Sequence, residues 1–264
     1  MPIEIGHIEA LFRYPVKSMG GERLEAAELG WYGIEGDRRL AFRRMNDRSG
    51  MPWLTASKLP DLVRYAPQRR EDGGQKDGAQ KSTAQEDLPT HIRTPDGEVM
   101  PVFGEDLAAE VGLRYGAPVQ MMQLRHGIFD EASISVIASD TVSEIGRLAG
   151  RNLDVRRFRP NIVVRLLQPV PFQEDEWVGG VLTFGEGKGQ ENEAPAITVT
   201  MRDERCSMVN LDPDTASIAP EVMKAVVRVH QNTAGIYGAV TRIGRLAVGQ
   251  TVFLRAATGK RELE

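Results

Sequence analysis

The sequence predicts an α+β fold, with a strand-rich N-terminal module ahead of a β-barrel flanked by helices. Three observations carry that prediction. Short apolar and β-branched runs, punctuated by glycine and proline, recur along the chain. Only three stretches have helical periodicity. Those stretches do not alternate with strands as they would in a doubly wound sheet. With 264 residues, 41% of them hydrophobic, the chain has material for one large core or two smaller ones.

Each element follows from its local chemistry. "IEIGHIEALFRYPV" is apolar and β-branched and closes on a proline, so it reads as a strand. "ERLEAAEL" and "GWYGIEGDRRLAFRRM" continue in strands, with Gly30, Gly33 and Gly36 at turns and "NDRSG" as a further turn. "LPDLVRYAPQRR" is ambiguous. Residues 71–87, "EDGGQKDGAQKSTAQED", are too polar to offset their ordering entropy and read as a flexible insertion. "THIRTPDGEVMPV" is a hairpin turning on Pro95, Asp96 and Gly97.

"GEDLAAEVG" predicts a short helix ending at Gly112. "SDTVSEIGRLAG" is the clearest helix. Thr141 and Glu144 form a capping box, Val142, Ile145, Leu148 and Ala149 make one face, and Gly150 is the stop. "APEVMKAVVRVH" is the third, with Pro220 in its first turn. "NIVVRLL", "WVGGVLTFG", "AITVTM" and "GIYGAVTRIGRLAVGQTVFL" return to strands. A boundary near residue 122 divides an N-terminal module, residues 1–122, from a helix-decorated barrel, residues 123–264.

Composition narrows the function. A net charge of -4 with mixed signs argues against nucleic-acid binding through bulk electrostatics. The single cysteine rules out an internal disulfide and any all-cysteine cluster, and points to a reducing, cytoplasmic setting. The first residues lack the apolar core of a secretory signal. No apolar run approaches the roughly 20 residues of a membrane span. His7, His91, His126 and His230 are scattered without zinc-ligand spacing.

Five constellations have chemical potential. In "YPVKSMGGE", Lys17, Ser18 and the following glycine backbone suit an anion, or form an ordinary turn with a surface lysine. In "GDRRL", a strand would send Arg38 and Arg39 to opposite faces, one toward a pocket and one into solvent, or the segment forms a surface ion pair with Asp37. In "RRFRPNIVV", Arg159 and Asn161 share a face if the chain is extended, and a polar ligand would satisfy both, or the segment is a strand-entry turn with exposed side chains. "GEGKGQ", residues 185–190, has the glycines of a dinucleotide loop but no helix after it, so it reads as a loose hairpin loop. In "RDERCSMVNLDPDT", Arg202 and Arg205 favour a thiolate at Cys206, which is otherwise an inert small residue beside a turn.

Together "YPVKS", "GDRRL", "FRPNIVV", "RC" with "DPDT", and "GIYGAV" with "AVGQTVFL" resemble the MOSC family with its N-terminal MOSC β-barrel domain. The likeness extends to the mitochondrial amidoxime-reducing component and its bacterial relatives. It covers nearly the whole chain in order. The resemblance implies a molybdenum cofactor, Mo-molybdopterin, with Cys206 as the protein thiolate on the metal and the catalytic residue. It implies that Lys17, Ser18 and Arg38 hold the cofactor phosphate. Arg159, Asn161 and Arg205 match pterin contacts, and "FDEASISVI" supplies Asp130, Ala132 and Ser133 as further contacts.

The activity it implies is reduction of N-hydroxylated or N-oxide-type small molecules. Flavin, nicotinamide and iron–sulfur motifs are absent from the sequence, so electrons would come from a separate donor protein of ferredoxin, flavodoxin or cytochrome type. The alternative is a non-redox carrier of molybdenum cofactor or sulfur. A metal-free thiol enzyme is a third reading. No general acid or base stands out in the sequence.

Overall fold

The structure is a computed structural model that describes residues 2–69, 88–185 and 193–257. The expected insertion at 71–87 and most of the "GEGKGQ" loop lie outside the described residues. The first part contains β1 (Ile3–Arg13), β2 (Glu22–Leu24), β3 (Ala26–Gly30), β4 (Gly33–Ile34), β5 (Leu40–Arg44), β6 (Ala66–Gln68), β7 (His91–Arg93) and β8 (Val99–Pro101). Helix α1 (Glu105–Tyr115) and β9 (Val119–Gln123) follow. The rest is β10 (Ile134–Ala138), α2 (Ser139–Ala149), β11 (Ile162–Leu166), β12 (Val181–Gly185), β13 (Ala196–Glu204), α3 (Pro220–His230), β14 (Thr233–Arg242), β15 (Gly244–Ala247) and β16 (Thr251–Arg255). The α+β class holds.

Seven strands close a barrel in the order β11-β10-β14-β13-β12-β16-β1, with β1 pairing back onto β11. All neighbours are antiparallel except β10 and β11, which run parallel across the α2 crossover. Strand β1 therefore lies between β11 and β16, both from the C-terminal part of the chain. Its backbone comes so close to β11 that a Cβ on Gly6 would sit 2.1 Å from the Arg165 carbonyl oxygen, so only glycine fits.

The barrel interior is filled by Ile8, Leu11, Ile134, Val136, Ile162 and Leu182, among others. A fully buried aliphatic side chain of this kind contributes about 1.5–3 kcal/mol. A second core lies under β5, β9 and α1, centred on Leu40, Phe42, Leu107 and Val111. A third packs α2 and α3 onto the barrel through Val142, Ile145, Val222 and Val226.

Most local expectations hold, and three are corrected. The Pro95-Asp96-Gly97 turn joins β7 to β8, and Gly150 ends α2 in the left-handed conformation. The first helix runs past Gly112 to Tyr115 and stops at Gly116. The Thr141–Glu144 capping box does not form, because α2 begins at Ser139 and Thr141 lies inside its first turn. There Thr141 Oγ1 donates to Glu174 Oε2 at 2.9 Å and accepts from the Phe172 N–H at 2.7 Å. The segment before Leu40 is a turn, not a strand. Arg39 is therefore buried against Glu35 and the Tyr32 ring instead of being solvated.

Candidate functional site

The turn after β1 sets the site. Tyr14 N–H donates to Asp37 Oδ1 at 2.7 Å, and Lys17 N–H donates to the Leu40 carbonyl at 2.8 Å. These bonds hold the 14–18 loop against the 37–40 turn. Lys17 is only 5% exposed, and its Nζ donates to Asp130 Oδ1 at 2.7 Å and to the Ile128 carbonyl at 3.2 Å. Burial lowers the Lys17 pKa, with Asp130 opposing the shift.

Arg38 donates to Asp37, to Asn161 Oδ1 at 3.3 Å and to the Arg159 carbonyl at 2.9 Å. Arg159 follows a short 3-10 turn, Val155–Phe158, and donates to the Met19 carbonyl. The guanidinium groups of Arg38 and Arg159 lie 5.1 Å and 4.1 Å from the centre of the Tyr14 ring. Burial, and next the neighbouring Arg38 charge, lower the Arg159 pKa to about 10. Ser18, Arg38 and Arg159 all have positive φ, at 66°, 50° and 50°. Non-glycine residues rarely adopt this conformation, and they cluster in it at functional sites.

The opposite wall comes from the end of β13. Arg205 is 8% exposed and donates to the Ala234 and Phe158 carbonyls, each at 2.7 Å. Its Nη2 lies 2.7 Å from Asp203 Oδ2. Asp203 is 1% exposed and also accepts from Ser135 Oγ at 2.8 Å. Burial lifts its carboxyl to about 6, against the pull of Arg205. Cys206 begins the next 3-10 turn and is exposed.

These walls enclose a cavity of about 380 Å³. Lys17, Ser18, Arg38 and Asp130 line it on one side, with Arg159, Arg205 and Cys206 completing it. Three expected contacts, Ala132, Ser133 and Asn161, are not among the residues that line it. Asn161 is fully buried beside the wall, and its Oδ1 accepts from the Ser135 N–H at 3.1 Å as well as from Arg38. It thus braces two residues that do line the cavity. Ser133 does not line it; its backbone and Cβ face Gly33, and Ser135 takes the place on the wall.

Sequence reasoning missed Ser135, Asp203 and Tyr237. Asp203 sits between Arg202 and Glu204 at the end of β13, and its burial, which the sequence does not mark, sets it apart from them. The donor set suits a ligand that is anionic at one end and thiophilic at the other. Among the described residues Arg159 has no carboxylate partner and one buried guanidinium nitrogen without an acceptor, while the soft Cys206 sulfur stands on the same cavity. Among the described residues no group of three or more His, Cys, Asp or Glu side chains is arranged to hold a metal, so a metal here would need ligands of its own.

The MOSC domain model matches residues 123–253, and the MOSC N-terminal beta barrel domain model matches residues 5–101. Among solved structures, the YuaD protein from Bacillus subtilis is similar over 97% of this chain and 99% of its own, at 14% identity and a TM-score of 0.50. YiiM from Geobacillus stearothermophilus matches over 47% of this chain and 54% of its own, at 18% identity and a TM-score of 0.35. No curated protein matches the chain. With both family models matched in order along one chain, the protein belongs to the MOSC family, a MOSC domain preceded by the family's N-terminal β-barrel domain.

Proposed function

We propose that the cavity binds a molybdenum cofactor, Mo-molybdopterin, and that the protein is an oxidoreductase acting on N-hydroxylated or N-oxide-type small molecules. One observation carries the reading. Lys17, Arg38, Arg159 and Arg205 converge on the cavity that also presents Cys206. Lys17, Ser18 and Arg38 would hold the phosphate. Arg159 and Arg205 would face the pterin, with Asn161 orienting Arg38 and Asp130 holding Lys17. Cys206 would give its thiolate to the metal and is the catalytic residue. The cofactor, when bound, supplies two-electron redox chemistry. A separate ferredoxin-, flavodoxin- or cytochrome-type protein would deliver the electrons.

The exposure of Cys206 favours a second reading, a non-redox carrier of cofactor or sulfur, since a thiol at the cavity mouth can meet a partner. One experiment separates the two. Protein from a cofactor-competent host is analysed for molybdenum and pterin, then assayed on an aromatic amidoxime with a donor system, alongside Cys206→Ser. The oxidoreductase reading expects near-stoichiometric metal, reduction by the parent, and at least about a hundredfold loss in the variant, on the order of 3 kcal/mol of transition-state stabilisation. Cofactor without turnover under any donor identifies the carrier. Metal-free parent protein overturns the oxidoreductase and the cofactor carrier alike.

A further inference from the structure

A second cavity, of about 410 Å³, lies on the other side of Arg159, between the β6–β8 sheet and the 3-10 turn at Val155–Phe158. It shares Arg157, Arg159 and Met208 with the first but receives Tyr14, Arg93 and Thr94 as its own. Five arginines line it, and three are already neutralised. Arg156 pairs with Asp154 and Asp214, Arg157 with Asp212, and Arg64 with Asp61. Arg93 and Arg159 have no carboxylate within ion-pair distance among the described residues. Tyr14 is 1% exposed, and its hydroxyl is buried without a hydrogen-bond partner. A buried hydroxyl left unpaired costs free energy that an acceptor would recover. Val63, Tyr65 and Leu211 give the same cavity an apolar side.

We propose that this cavity is a second anion site that binds a small phosphate monoester, with Arg93, Arg159 and the Tyr14 hydroxyl on the phosphate and the apolar side against its organic group. The Arg93 fork, the Arg159 nitrogen left without an acceptor, and a phenol offer donors to all three terminal oxygens of a phosphate. A dianion also matches the two unneutralised cations, and the volume exceeds what a bare ion needs. Nothing in this proposal requires the first cavity to hold molybdenum.

Calorimetric titration of the full chain with phenyl phosphate tests it, because Tyr14→Phe keeps the ring under Arg38 and Arg159 while removing the hydroxyl. The Lys17→Ala chain, whose first phosphate cradle is weakened, is expected to retain one saturable site. Arg93→Ala or Tyr14→Phe in that background is expected to raise the dissociation constant at least about tenfold, the loss of one charge-assisted or buried hydrogen bond. In the otherwise unaltered protein, Arg93→Ala should remove one binding event per chain. Loss of all binding with Lys17→Ala, or affinity indifferent to both Arg93→Ala and Tyr14→Phe, overturns the proposal.

Discussion

Ser18, Arg38 and Arg159 hold left-handed backbone angles with full side chains, where glycine would be easier. Such positions cost on the order of 1 kcal/mol each or more, which the surrounding hydrogen bonds must offset. Ser18→Gly should therefore leave stability unchanged or raise it by up to about 1 kcal/mol, while lowering cofactor retention. Denaturant unfolding and metal content of the same preparations check the two halves. A variant less stable than the parent and fully loaded would show that Ser18 serves folding alone.

The side chains gathered at the cavity were legible because they sit in short motifs with fixed local chemistry. Those missed lie where register decides. Ser135 is inside β10 and Ser133 precedes it, a distinction that turns on where the strand starts. Asp203 and Tyr237 lie on β13 and β14, whose pairing shifts between Val199 and Met201 and again between Arg202 and Glu204. Each shift breaks the simple alternation of inward and outward residues, and no sequence pattern marks it.

Among the elements, α2 shows how a helix end can depend on a residue far along the chain. Glu174 is fully buried, accepting from the Ala138 N–H at 3.3 Å and from Thr141 Oγ1. It occupies the place that a local cap would have taken. Burial lifts its carboxyl from the ordinary 4.5 to about 7, against those hydrogen bonds. The folded state thus holds the proton more tightly than the unfolded chain does. The sign follows: the stabilisation is full below about 4.5 and is lost as pH rises through about 7. The span corresponds to about 3 kcal/mol. Glu174→Gln should gain up to that amount relative to the parent between pH 4.5 and 7, measured by denaturant unfolding at several pH values. A parallel pH profile in parent and variant would contradict it. Asp203, raised to about 6, adds a slope of the same sign that the variant keeps. The amphipathic faces of α2 and α3 were readable from periodicity; this long-range cap was not, because nothing near Thr141 in sequence signals Glu174.

In the whole molecule, the two matched family segments are not structurally separable units. Strand β1 lies in the N-terminal match, yet it fills the gap between β11 and β16 of the barrel. Strand β15 returns the favour by pairing with β3. The sequence showed each run as a strand but could not show that the first completes a sheet made of the last. Residues 123–264 expressed alone should therefore lack a stable barrel, exposing two unpaired edges. Circular dichroism and urea unfolding are expected to show no cooperative transition. Addition of a peptide spanning residues 2–14 is the matching rescue, and a cooperative fold without it would refute the dependence. Among the described residues no helix is long and apolar enough to cross a membrane.

The pairing of Ile3 with Leu254 also fixes an order of events during synthesis. Strand β1 must wait for a partner strand far along the chain. At about 5–20 residues per second that wait lasts many seconds, during which the edge of β1 that faces β16 stays unpaired. A nascent chain of this protein should thus remain open to chaperones until residues 251–255 have emerged, because the barrel cannot close before then.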